Sequence, residues 1–217
     1  MSETRRYDSA TRLAKARRTR MRILSAARDL FLVDGYVGTT LDAVAATAGV
    51  SPQTVYNLVG GKATLFKAVY DVTLAGDDEP IPIARRPDYR RIFEASTSRE
   101  ALRVAATFER ILFSRVGPLV ALATAQAAAG DRDLRAFVDT IETERATGCR
   151  MLVTHFADRF GLRPDLTVDR AAEMLWTLTG PHPAERLVVR CGWEWPTYEA
   201  WLADTVHHAL FGDPVKP

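Results

Sequence analysis

Between Thr39 and Lys62 the sequence gathers polar side chains whose chemistry is hydrogen bonding rather than bond breaking. Gln and Asn carry a donor and an acceptor side by side, the pattern that matches the major-groove edge of adenine, and a Thr methyl can touch a thymine methyl. Gln53, Thr54 and Asn57, with Pro52 beside them, are therefore candidates for contact with bases. The hydroxyls of Thr40, Ser51 and Tyr56 suit phosphate oxygens, contacts that fix position rather than read sequence. Lys62 follows at the start of a predicted helix, where backbone N–H groups and the helix dipole already favour an anion.

Short helices must present these groups. Thr39 or Thr40 can cap a helix over Leu41–Ala48, and Gly49 closes it. Ser51-Pro52 then opens a third helix, with a hydroxyl at the cap and proline in the first turn, where its missing N–H costs nothing. Gly60-Gly61 ends that helix, and a fourth runs from Lys62 to about Ala75. Val44, Ala45, Ala48 and Val55 supply the small apolar surface between the pair. The layout is that of a helix-turn-helix, whose second helix enters the major groove.

The rest of the chain also reads as helical, with no sustained period-two alternation. A first helix covers about Thr11 to Val33, its apolar face formed by Ile23, Ala26, Ala27, Leu30 and Phe31, and Asp34-Gly35 ends it. Gly76–Arg91, with three prolines, reads as a linker. The capping box Thr97-x-x-Glu100 opens a helix to about Val116, and Gly117-Pro118 punctuates. Leu119–Ala129 is apolar almost all round and should be buried. Further helices follow at about 132–160, 168–179, 184–191 and 197–211. The expected organisation is a basic segment over 1–19, a flexible arm reaching phosphates or the minor groove or else a solvated, disordered tail, then a DNA-binding domain over 20–70 and a helical bundle over 71–217.

Composition excludes several classes. The 217 residues are 47% hydrophobic and 26% charged, an ordinary globular balance. No apolar run approaches the roughly 20 residues of a membrane span. No apolar segment follows the N-terminal arginines, so they do not form a secretory signal, and the cytoplasm is the default compartment. Residues 1–70 hold 11 Lys/Arg against 5 Asp/Glu, while the remainder holds 18 against 22. A basic head on an acidic body suits a polyanion at the head. Cys149 and Cys191 fit no zinc or redox spacing and read as unpaired thiols. His182, His207 and His208 have no ligand spacing, so no metal is expected. Gly60-Gly61-Lys62 lacks the first glycine of a phosphate loop, because Tyr56 stands there, and no strand precedes it.

The run ILSAARDLFLVDGYVGTTLDAVAATAGVSPQTVYNLVGGKATLFKAV resembles the N-terminal domain of the tetracycline-repressor (TetR) family. The shared elements, in order, are an IL-x-AA and LF helix, a GY turn, paired threonines, AGVS, a TLY-like element and a lysine opening helix four. They cover about residues 20–70. Three positions depart from the pattern. Val59 replaces a usual aromatic, Gly61 a frequent cap, and Leu58 a common polar or histidine residue. The resemblance implies an all-α regulator, not an enzyme, that binds a palindromic operator as a homodimer. It implies dimerisation through the segments about 168–191 and 197–211. It also implies a variable C-terminal domain whose small-molecule effector, of unknown identity, releases the DNA; no cofactor is expected. Repression is the default sign, and activators occur in the family.

Phe108, Leu112, Phe113, Met151, Met174 and Trp176 are candidates to line an effector pocket, with Gln126, Arg150 and His155 as its polar groups; ordinary core packing uses the same residue types. A buried Arg150 would favour an acidic effector. Two other classes compete: a helical-bundle enzyme, for which no paired carboxylate, triad or cofactor loop is visible, and an interaction protein that keeps the fold without sequence-specific DNA reading.

Overall fold

The computed structural model describes residues 3–212, with side chains from Thr11 onward. Its helices are α1 (Glu3–Gly38), α2 (Leu41–Ala48), α3 (Pro52–Leu58), α4 (Lys62–Ala75), α5 (Pro87–Glu94), α6 (Ser98–Ala128), α7 (Arg132–Phe160), α8 (Val168–Leu178), α9 (Pro181–Ala184) and α10 (Trp195–Phe211). A 3₁₀ turn, Ile83–Arg85, precedes α5, and a π-helical turn, Glu185–Arg190, follows α9. Among the described residues there is no strand.

Two compact units emerge. One holds residues up to 79 together with 118–137; the other holds 80–117 and residues from 138 onward. This differs from the contiguous division at residue 70 expected from the sequence. The reason is local packing: Leu119, Ala123, Leu134 and Phe137 are buried within the first unit. The Phe137 ring meets Phe66 edge-on at 5.1 Å and Tyr70 at 5.1 Å. Phe31 and Tyr36 complete this aromatic group against Phe66, at 5.1 and 5.5 Å. Such edge-to-face contacts add to the energy of burial.

Four sequence expectations need correction. The segment before Met21 is helical from Glu3 rather than a disordered tail; side chains before residue 11 lie outside the described residues. Arg17, expected among the arm's phosphate-seeking cations, is committed to Asp78 and Glu79. The linker region contains α5, whose Ile92 is buried. Finally, Gly117-Pro118 does not break the chain, because α6 runs through it. Flanking Val116 and Leu119 are buried and hold the helix there. A Cβ at Gly117 would meet the Phe113 ring at 3.3 Å, a tight contact to which the ring would have to yield.

The segment after Pro118 is also less enclosed than its composition suggests: Ala121, Thr124 and Ala125 are exposed. By length and composition alone α6 would suffice to cross a bilayer, contrary to the sequence expectation. Its Leu102, Ala106, Val116 and Ala123 are nonetheless buried against protein. In the second unit the core centres on Leu102, Val153, Phe156, Leu175, Tyr198 and Leu202.

Candidate DNA-binding site

Caps build the candidate site. Thr40 takes the cap of α2, and its Oγ1 accepts from the Ala43 N–H at 3.1 Å. Thr39 instead turns inward, donating to the Gly35 carbonyl at 2.8 Å. Gly35 has φ 74° and kinks α1 there, so the helix turns before delivering the two threonines. Gly49 sits in the left-handed region at φ 64°, ψ 43°, and its N–H reaches the Ala45 and Ala46 carbonyls. An L-residue with Cβ pays roughly 1–2 kcal/mol for that conformation, which is why glycine stands at the turn.

Ser51 caps α3 by accepting from the Thr54 N–H at 3.2 Å, and its hydroxyl pairs with that of Thr54 at 2.8 Å. Val55 is fully buried between the helices. The opposite edge of α3 faces water, with Pro52, Gln53, Tyr56 and Asn57 exposed and Tyr56 61% accessible. Gln53 Nε2 donates to Asn57 Oδ1 at 2.8 Å, so the two amides lie in one plane of reach. Thr54 is only half-exposed and shares its hydroxyl with Ser51, which leaves its methyl as the larger readout group.

Lys62 opens α4, whose cap Gly61 supplies no side-chain hydrogen bond. The ammonium lies 4.5 Å from the Tyr36 ring centroid and donates to the Val37 carbonyl at 3.3 Å. Burial lowers its pKa, partly offset by Asp131. Burial, assisted by Asp133 and Asp131, pushes the Tyr36 phenol up to about 12. Two ammonium N–H groups of Lys62 remain for an anion. Thr40, Ser51, Pro52, Gln53, Thr54, Tyr56, Asn57 and Lys62 are thus all carried by the α2–α3–α4 segment of one unit. Among the described residues no group of three His, Cys, Asp or Glu could hold a metal ion.

Residues 23–69 match the sequence model described as bacterial regulatory proteins, tetR family. The match is to those residues alone, the segment that carries α2, α3 and most of α4. The HTH-type transcriptional regulator TtgW of Pseudomonas putida, itself uncharacterized, is 37% identical over 75 residues, 35% of this chain and 53% of TtgW. The chain thus matches about half the length of that curated relative. Two solved structures share the fold of most of this chain. FadR from Bacillus subtilis, in complex with stearoyl-CoA, has a TM-score of 0.67 at 16% identity, covering 86% of this chain and 96% of FadR. A regulator of Aquifex aeolicus has a TM-score of 0.60 at 18% identity, covering 88% and 99%.

The candidate pocket residues are divided between the two units. Phe108 lies half-buried against Tyr89, with ring centroids 5.4 Å apart, and Phe113 against Trp195 at 5.8 Å. Leu112 and Met174 are half-buried, while Met151 is exposed. Gln126 belongs to the first unit, and the other candidates belong to the second. Arg150, expected to be buried, is exposed and paired with Asp169, so it makes no demand for an acidic effector. Trp176 is 37% accessible and donates its indole N–H to Glu142 at 3.0 Å. His155 lies among Phe93, Phe156 and Phe160 with a buried, unpartnered Nε2. Burial first, then the Arg159 charge, lowers its pKa. Sequence reasoning passed over Glu109, a half-buried acid of the second unit. It was legible as a carboxylate at an apolar-face position, three residues after Ala106 and four before Phe113.

Proposed function

We propose that this protein is a DNA-binding transcriptional regulator, a repressor that binds a palindromic operator as a homodimer in the cytoplasm and is released by a small-molecule effector. The observation that carries this reading is the water-facing edge of α3, held by a capped turn inside a tetR-family domain. Pro52, Gln53, Thr54 and Asn57 contact bases; Thr40, Ser51, Tyr56 and Lys62 contact and position against phosphates. FadR, a chain of similar fold, is seen in complex with stearoyl-CoA, which supports a small-molecule effector here. The segments about 168–191 and 197–211, which include α8 and α10, supply the dimer surface.

A gel shift against duplexes selected from random sequence tests the reading. Binding to a palindromic site, lost in Tyr56→Ala and Lys62→Ala, is expected. If no selected duplex binds above the non-specific level, the DNA-reading role fails and an interaction protein on the same fold takes its place.

A further inference from the structure

A cavity of about 190 Å³ opens between α5 and α6 in the second unit. Asp88 and Arg91 border it from α5. On α6 its lining recurs at four: Arg103, Thr107 and Ile111 form one row, Val104 and Phe108 the next. Each set therefore occupies one face of its helix, and the two faces meet along the cavity.

The lining has an apolar part and a charged part. Val104, Phe108 and Ile111 are half-buried and form the apolar wall. Arg91 and Arg103 are exposed and bring two guanidiniums to the same cavity. Among the described residues neither takes part in an ion pair, and the Asp88 carboxylate is also unpaired. Two cations against one acid leave the lining with a surplus of positive charge. Neighbouring charges do not cancel it. The Glu199 carboxylate of α10 accepts from the Thr107 hydroxyl with one oxygen and from the Arg110 guanidinium with the other, so that pair is closed on itself.

The walls are also held in place. Tyr89, next to Asp88 on α5, meets Phe108 of α6 at 5.4 Å and Phe93 at 5.3 Å. The Glu199 contacts fix the same stretch of α6 from its other side. Sites carried on packed helices hold their geometry better than sites on loops. An apolar wall with a few polar groups converging on it is the usual make-up of a small-molecule site. The planar guanidinium fork matches a carboxylate through two parallel hydrogen bonds.

We propose that this cavity binds a small apolar carboxylic acid, with its carboxylate on Arg91 and Arg103 and its hydrocarbon on Val104, Phe108 and Ile111. This names the ligand class of the effector proposed above and rests on that reading. The volume equals that of roughly six water molecules, which suits a medium-length chain rather than a long one. Exposed ion pairs are weak and screened by salt. The arginines therefore select the sign of the charge, and the apolar wall supplies the affinity. Asp88 opposes the carboxylate and limits how tightly it is held.

Octanoate and octylammonium have chains of the same length and opposite charges. Isothermal titration calorimetry of the full chain, without DNA, at neutral pH and low salt compares them. The expected result is one octanoate per chain, with a Kd at least about tenfold below that of octylammonium. High salt narrows this gap, a readout that needs no variant. Arg91→Gln combined with Arg103→Gln, at two exposed positions, abolishes the preference and raises the octanoate Kd. The corresponding double lysine variant keeps the preference, and Asp88→Asn lowers the octanoate Kd. Equal or tighter binding of octylammonium, binding of neither ion, or an octanoate Kd unchanged in the double glutamine variant overturns the proposal. DNA release is followed separately by gel shift. Arginine-dependent octanoate binding that leaves the DNA bound supports the carboxylate site and counts against the effector reading.

Discussion

Ser51 shows how much a single hydroxyl contributes to this molecule. It satisfies the Thr54 N–H at the start of α3 and holds the Thr54 hydroxyl. Losing such a cap costs about 1 kcal/mol. Ser51→Ala should therefore lower stability by about that amount in urea denaturation and weaken operator binding in the same preparation. Gly148 lies in the interior of α7, where glycine costs about 1 kcal/mol relative to alanine. Nothing lies within 4 Å of the position its Cβ would take. Gly148→Ala should raise the melting temperature, and an unchanged or lower value would mean that the space is occupied in the folded protein. Arg17 is held by Asp78 and Glu79. Its charge is already balanced, so Arg17→Ala should leave the salt dependence of DNA affinity nearly unchanged. Lys62→Ala, by contrast, should reduce that slope by about one.

At the scale of elements, the informative case is the start of α7. Phe137 is nearly buried and closes the aromatic group of Phe31, Tyr36, Phe66 and Tyr70 in the first unit. Truncating a buried Phe typically costs 3–5 kcal/mol. Phe137→Ala should cost about that much in denaturation and impair operator binding, although residue 137 lies far along the chain from α3. A loss of stability without loss of DNA affinity would separate this packing from the positioning of α4. Residues 39–62 were legible in the sequence because their signals are local. Ser-Pro at a cap, glycine at a left-handed turn and period-3.6 burial each act within one helical turn. Pro118 misled for a related reason: proline removes one hydrogen bond locally, yet buried neighbours on both sides keep α6 continuous.

On the scale of the whole molecule, pH dependence follows from Glu109. Its folded-state pKa of about 7 lies above the ordinary carboxyl value of 4.5. The folded state therefore binds the proton more tightly than the unfolded chain. The stability this contributes is fully present below about 4.5 and is lost as pH rises through 7. Thermal melts at pH 5 and pH 8 should show a larger drop for the wild type than for Glu109→Gln, which has no carboxylate to ionise. The sequence by itself determined the helical class, the helix-turn-helix segment and its caps, and the basic-to-acidic change along the chain. Those properties depend on neighbours within a few residues or on composition. Only the tertiary structure decided that 118–137 packs with the first unit, that Arg150 faces water, and that burial raises the pKa of Glu109. Each of these depends on groups brought together from distant parts of the chain. Burial and charge compensation are set by such meetings, which residue order does not encode locally.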